Sequence, residues 1–491
     1  MGHLLVFDIG TTILKGGLFD FEGKPLIIIR QPLFSFSKKE IYNILSSSDF
    51  EPEKWISAIK QIISKIIKES SYKNILSSIK AIVISGNGPS LIPVSSNGKT
   101  LNNAIMWMDN RCNDYIKDSD INKDLDVDPT FFLSKAFWLF KKKKNIYNKT
   151  RYFLSCPEYI SFFLTGNAFT FLPADGYTKY IWTDNAILKT GMERSKFPPF
   201  IPMGGTVGKV NKKAKDETQI PAGIPVFAGG PDFIMSLIGT GTVLPGRTCN
   251  RAGTSEGINY CSPHPVTDSG ILCFPHIKKG LFNISSILPA SGRSMDWFLH
   301  ILESDHSEYK KLYSAISPFP VAGEKLIFLP HLIQGRSTIW SSPSRGALVG
   351  LSQNHGREAI FKAILEGTGF AVREIIELME NRDLHIKDIR FSGKHATVDI
   401  WNILRANITG KRLLIPEVSD SELTGCACVA LYALGEYNNI IEASNKIVRI
   451  KKEYIPDKKR INYYNELFNL YKQSYLKLRE VFKDLVKLNP D

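Results

Sequence analysis

Two short turns in this chain carry the residue types that hold phosphate. Asp8-Ile9-Gly10-Thr11-Thr12 follows the apolar run His3 to Phe7, and Gly253-Thr254-Ser255 lies near the middle of the chain. A glycine lets the backbone approach a phosphate closely, and adjacent N–H groups and Thr or Ser hydroxyls then donate to its oxygens. Asp8, at the end of the apolar run, suits a hydrated Mg²⁺, which favours carboxylate and water oxygens. Neither turn is a GxxxxGK[ST] loop, and either alone also fits an ordinary hairpin. One in each half of the chain, in matching strand-turn-strand settings, points to phosphoryl transfer. A third segment, Gly229-Gly230-Pro231-Asp232, precedes the apolar run Phe233 to Gly241. An Asp there reads as a helix N-cap or as a general base that takes a proton from an alcohol. One carboxylate suffices, because phosphoryl transfer depends on positioning and charge neutralisation more than on strong base catalysis.

These groups need elements to position them. His3 to Phe7, the turn at Gly10-Thr11-Thr12, and Ile13 to Phe19 predict a β-hairpin that opens a sheet. Trp55 to Ile67 carries apolar residues at helical spacing, and Ile79 to Ile84 reads as a short buried strand closed by Ser85-Gly86-Asn87-Gly88-Pro89. Gly and Pro cluster at Thr242 to Arg247, which predicts a boundary before a second α/β half. In that half Lys325 to Leu329 and Ile389 to Ser392 read as strands. Arg357 to Glu380 and Val398 to Ile408 read as helices, and the chain from Asn438 onward is helical in pattern. Alternating strand and helix signals favour an α/β class.

Composition narrows the partners. The 491 residues are 43% hydrophobic and 22% charged, and 62 Lys and Arg against 48 Asp and Glu leave a net charge of +14. Such a balance invites a nucleic-acid reading, but no clustered basic-aromatic motif supports one. Much of the excess is peripheral. Residues 441–491 hold twelve Lys or Arg and seven Asp or Glu, and Lys141 to Lys144 sit at the end of a helix-like stretch, where cations suit the macrodipole. The seven cysteines are scattered and lack CxxC spacing, as expected of reduced thiols. The N-terminus lacks the basic and apolar regions of a signal peptide, and no window has the apolar length of a membrane span. These features predict a cytoplasmic protein without membrane or nucleic-acid partners.

The sequence resembles the FGGY family of carbohydrate kinases, in the actin-like ATPase superfamily, from about Leu4 to about Gly435. DIGTT with Lys15 and Phe19-Asp20 is similar to the family's first phosphate motif. ISGNGPSLIPV (84–94) and AIMWMDNRC (104–112) are similar to the segment lining the sugar site, and FLTGN (163–167) to a further landmark. PAGIPVFAGGPD (221–232) leads to the position of the catalytic Asp, and NRAGTSEG (250–257) matches the second phosphate motif. LPHLIQGR (329–336), RGALVGLSQNHGREAIFKAILEG (345–367) and FSGKHATVDIWN (391–402) complete the set in family order.

The resemblance implies two RNase-H-like domains with an interdomain cleft, divided here as 1–244 and 245–440, with a helical extension at 441–491. It implies ATP and Mg²⁺ as cofactors, a sugar as acceptor, and leaves a homodimer open. Carried over by position, Asp232 is the catalytic base, and Asp8 lies by the metal and phosphates. Gly10, Thr11, Thr12 and Lys15 belong to the first phosphate motif, and Gly253, Thr254 and Ser255 to the second. Gly393, Lys394 and Asn402 fall in the adenosine motif, while Asn87, Gly88, Trp107 and Asp232 flank the sugar. The ISG opening is that of xylulokinase-like members, without their Gln-Met-His continuation, and the Asn-Gln-Arg-Glu of glycerol kinases is absent. A ketopentose such as xylulose is therefore the first substrate choice. Ribulose, glycerol, erythritol or a slow, kinase-like sugar-binding role are the alternatives. The chain departs from the family at Phe233, where Gln or Asn is usual, and at Lys394, where a second glycine is usual. Smaller departures lie at Phe132, Ala136 and Ala359.

Overall fold

The structure is a computed structural model that describes residues 2–34, 49–69, 75–109, 111–112, 130–317, 325–333, 340 and 344–488. Asn110 of the AIMWMDNRC segment and residues 334–336 of LPHLIQGR lie outside them. The chain divides into two compact units. One comprises Met1–Gly239, Ile277–Lys279 and Ser421–Val448, the other Thr240–His276, Gly280–Asp420 and Arg449–Asp491.

The first unit is built on a six-stranded sheet of β1 (His3–Ile9), β2 (Ile13–Phe19), β3 (Pro25–Pro32), β4 (Ile79–Gly86), β5 (Thr206–Lys209) and β6 (Pro225–Pro231). Its order is β5-β6-β4-β1-β2-β3. The first three strands form an antiparallel meander, and β4 and β6 run parallel to β1. Every residue of β1 is buried, as expected of a strand in a sheet covered on both faces. The helix Glu53–Glu69 packs Trp55, Ile59, Ile62, Ile63 and Ile66 into this core, following the helical spacing in the sequence. The helix Ser421–Ala433 returns from the far end of the chain to lie against β1 and β4.

The second unit repeats the plan with β7 (Thr248–Ala252), β8 (Glu256–Ser262), β9 (Leu272–Pro275), β10 (Phe282–Leu288), β11 (Asp388–Ser392), β12 (Arg412–Pro416) and β13 (Ile450–Tyr454). The order is β9-β10-β8-β7-β11-β12-β13. Again an antiparallel set (β7, β8, β10) is followed by strands parallel to the first. The α/β, two-domain class therefore stands as the sequence implied. Helices Arg357–Glu380, Asp399–Thr409 and Lys458–Lys487 cover the sheet. The last of these buries Tyr464, Leu467, Phe468, Tyr471 and Phe482 in the core.

One local expectation changes. The segment after Asn438 is not helical throughout, because Ile450–Tyr454 forms an antiparallel edge strand on β12. Its exposed Lys451, Lys452 and Glu453 hide any strand alternation in the sequence, and charge is what blunts a sheet edge against further pairing. The lysine run ends one helix, as expected, and also opens the next. Lys143 is the cap between Phe132–Lys142 and Lys144–Lys149, and Lys141 lies over the Phe137 and Phe140 rings at 5.2 and 5.3 Å. All seven cysteines are free. No helix among the described residues is long and apolar enough to cross a membrane.

Candidate active site

Strand register assembles the first half of the site. Asp8 on β1 stands opposite Lys15 on β2 and opposite Ser85 on β4, and Ser85 stands opposite Gly230 on β6. Residues paired across a ladder share a face of the sheet, so the row sets the Lys15 and Ser85 side chains on either side of Asp8. Lys15 Nζ is 3.3 Å from Asp8 Oδ2, and Ser85 Oγ donates to Asp8 Oδ1 at 3.0 Å. Asp8 is only 3% exposed. Burial pushes its carboxyl above the usual range against the pull of Lys15, and the charges of Glu422 and Asp232 push the same way as burial.

The turn after β1 is closed by the Gly10 N–H donating to Ile13 O at 3.1 Å. A Cβ at Gly10 would sit 2.5 Å from that oxygen, so this turn needs glycine. The backbone N–H and side-chain amide of Asn87 both donate to Ile9 O, at 2.9 and 3.0 Å. Trp107, 40% exposed, donates from Nε1 to Thr11 Oγ1 at 3.1 Å. Leu33 N donates to Thr12 O at 2.9 Å. Residues assigned to sugar (Asn87, Trp107) and to phosphate (Gly10, Thr11) thus meet at one turn. A Cβ on Gly88 would find only Pro231, at 3.9 Å.

The Asn87–Ser90 loop is held from behind. Cys156, first residue of the helix Cys156–Thr165, donates from N to Ser90 Oγ at 3.0 Å and from Sγ to Asn87 O at 3.1 Å. Lys135 Nζ donates to Pro89 O. Glu158 closes a capping box with Ser155 at the start of that helix and also accepts from Phe171 N at 2.7 Å. Burial pushes the Glu158 carboxyl from 4.5 up to about 7, against hydrogen bonds from Ser155 and Phe171. The folded chain therefore holds a proton that the unfolded chain has released between those two values. Its contribution to stability is complete below about pH 4.5 and is lost as pH rises through about 7. The advantage in thermal midpoint of the parent over Glu158→Gln should accordingly shrink across that window and stay constant above it. Parallel midpoint curves would show that Glu158 does not titrate there.

Asp232 opens the helix Asp232–Gly239 directly after β6, and its Oδ1 accepts from Phe233 N at 2.7 Å. Close approach fixes this helix. A Cβ on Gly229 would lie 2.0 Å from Ile84 O, and one on Gly239 1.8 Å from Ser421 O. Gly425 meets Met235 O at 2.0 Å in the same sense. The glycines let the helices starting at Asp232 and Ser421 touch backbone to backbone, with Ser236 Oγ and Ser421 Oγ 2.7 Å apart. This brings in a residue that sequence reasoning missed. Glu422, 6% exposed, has Oε2 3.3 Å from Lys15 Nζ. The ring of Phe233, where the family usually has an amide, lies 6.4 Å from that of Tyr177.

The second turn stands on its own unit. Gly253 N donates to Ser255 O at 2.9 Å, and the helix Gly292–Ile301 grips the turn from its N-terminus. Gly292 N donates to Gly253 O and Arg293 N to Thr254 O, both at 3.1 Å. Behind the turn a buried ion pair joins Glu256 to Arg405 at 3.2 Å, and Ser291 Oγ donates to Glu256 at 2.6 Å. Gly393 reaches the same turn: its φ is +97°, and a Cβ there would sit 2.1 Å from Ala252 O. Lys394 begins the short turn Lys394–Thr397, its Nζ 5.9 Å from the Tyr309 ring centre. Asn402 is fully buried and donates from Nδ2 to Ala396 O at 2.8 Å, supporting that turn from beneath. His395 stacks on Trp401 at 4.5 Å, and burial, with the Lys394 charge, lowers its pKa to about 4.

Two mixed sheets of one plan, each with a glycine turn after its first strand, form the core of the two units. The chain belongs to the FGGY family of carbohydrate kinases: residues 3–239 match the family's N-terminal domain and residues 249–434 its C-terminal domain. It is accordingly a phosphotransferase acting on a sugar, with ATP the donor that this family implies. The xylulose kinase of Bacillus subtilis is 25% identical over 98% of both chains. Two crystal structures from Lactobacillus acidophilus share the fold. A ligand-bound xylulose kinase has a TM-score of 0.80 at 22% identity, covering 99% of this chain and 100% of that one. A gluconate kinase has a TM-score of 0.79, also at 22% identity, with 99% of each chain covered.

Proposed function

We propose that this protein transfers the γ-phosphoryl group of ATP to a hydroxyl of a ketopentose, with xylulose the first choice. The observation that carries the reading is the end-to-end similarity to a xylulose kinase, together with a carboxylate at Asp232 on a helix start beside the Asp8–Lys15 row. Asn87, Gly88 and Trp107 flank the sugar, and Asp232 takes the proton of the attacking hydroxyl. Gly10, Thr11, Thr12 and Lys15 meet phosphate oxygens. Gly253, Thr254 and Ser255 meet the nucleotide phosphates, while Gly393 and Lys394 receive the nucleoside on a turn that Asn402 supports. The Trp107–Thr11 hydrogen bond joins the sugar loop to the phosphate turn.

Mg²⁺ suits this donor set. No group of three or more His, Cys, Asp or Glu among the described residues would hold a metal by itself. Asp8 instead offers one carboxylate of the kind Mg²⁺ takes in phosphate sites, where water and phosphate oxygens complete the shell. Bound there, the ion would neutralise charge on the transferred phosphoryl group.

A gluconate reading has one structural neighbour and two curated gluconokinase relatives, at 24% and 22% identity, in its favour. Coupled ADP release with D- and L-xylulose, ribulose, gluconate, glycerol and erythritol tests the assignment. The expected result is a kcat/KM for a xylulose at least ten-fold above the rest. Preference for gluconate or glycerol would overturn the substrate, and sugar-dependent thermal stabilisation without turnover would overturn the chemistry.

A further inference from the structure

The Lys15 ammonium is shared. Register alone sets Lys15 opposite Asp8, and an unshared N⁺–H···O⁻ contact closes to about 2.7–2.9 Å. Here Nζ stands 3.3 Å from Asp8 Oδ2 and an equal 3.3 Å from Glu422 Oε2, drawn fully onto neither of these carboxylates. Glu422 comes from a helix start that is itself fixed. Gly239 and Gly425 remove the side chains that would part the two helices, Ser421 meets Ser236, and Ser444 Oγ donates to Ile238 O at 2.6 Å. A carboxylate on so firm a mount is expensive to bury, and a helix-dipole benefit at an N-terminus does not require it to face a lysine from another strand.

We propose that Glu422 is a positioning residue for phosphoryl transfer: by taking a share of the Lys15 ammonium, it sets where that charge waits and keeps Asp8 from closing onto it. A cation placed before the substrate arrives spends no reorganisation energy when charge develops on the transferred group. Without Glu422, Lys15 folds onto Asp8. The ammonium is then misplaced for phosphate, and Asp8 is neutralised by a partner it should only lean on. The sugar contacts, at Asn87 and Trp107, are untouched.

This inference rests on the kinase reading, and a double-mutant cycle tests it separately. Glu422→Gln should lower kcat roughly ten-fold, the size of one hydrogen bond to a charged group, with the sugar KM within about two-fold. Lys15→Met should cost more, and in the Lys15→Met background Glu422→Gln should lose most of its ten-fold effect, because the proposed route from Glu422 to the transferred group runs through Lys15. Effects that multiply, or an unchanged kcat in Glu422→Gln, would overturn the proposal and assign Glu422 to holding the helix start. Glu422→Asp, which keeps the charge but not the reach, replaces Gln with the same two outcomes should the Gln variant not fold. Absence of turnover in the unsubstituted protein would instead strike the kinase reading itself.

Discussion

Asp232→Asn should abolish sugar-dependent ADP release while leaving the fold intact. The Asp232 carboxylate does two things. Its Oδ1 accepts the Phe233 N–H at 2.7 Å, and in the proposed reaction it also takes the proton of a sugar hydroxyl. Asparagine keeps an oxygen for the first task and loses the second. Removal of a positioned proton acceptor costs about 10²- to 10⁴-fold in rate. The coupled assay should therefore fall to its background, with the thermal midpoint close to that of the parent. Near-normal turnover would mean that Asp232 is only the start of a helix. The prediction is sharp because close backbone approach holds both ends of that helix, through Gly229 on the preceding strand and Gly239 at its last residue, independently of the Asp232 side chain.

The second large effect belongs to Gly393→Ala. Gly393 has φ +97° and ψ 179°, a combination essentially confined to glycine and costing other residues about 1–3 kcal/mol. Space forbids the substitution as well, since the new Cβ would lie 2.1 Å from Ala252 O and 3.0 Å from its carbonyl carbon. Ala252 leads straight into Gly253-Thr254-Ser255, so relief of the clash must move either the Lys394–Thr397 turn or the second phosphate turn. Overpacking of this kind adds about 1–3 kcal/mol. ADP binding by calorimetry should weaken at least about ten-fold, while binding of sugar without nucleotide stays as in the parent. Unchanged ADP affinity would remove Gly393 from the nucleotide site.

Much of this was legible in the sequence because the signals are local. The β1–β2 hairpin follows from two apolar runs and a Gly-Thr-Thr turn, and the 24-residue helix Arg357–Glu380 from its period. Asp232 stood out because two glycines and a proline precede it. Glu422 did not, since an acid in the first turn of an apolar helix is ordinary. Its meaning depends on Lys15, 407 residues earlier, and on a helix that returns to β1. Ser85 escaped for a related reason: only the parallel register of β1 and β4 shows that it donates to Asp8. The edge strand Ile450–Tyr454 was invisible to periodicity because its residues other than Tyr454 are exposed.

The return of Ser421–Val448 to the first unit also sets a timetable for synthesis. About 180 residues separate Gly239 from Ser421, and ribosomes add roughly 5–20 residues per second. For some ten seconds or more, the nascent first unit lacks the helix that carries Leu423, Cys426, Ala427 and Ala430 into its core. Its β1–β4 surface stays open to chaperones, and the carboxylate that shares Lys15 has not yet been translated. A ribosome-stalled or truncated chain ending before Ser421 would thus carry Asp8, Lys15 and Asp232 but not the assembled transfer site. In the proposed reaction, competence for phosphoryl transfer waits until Ser421–Val448 has been translated.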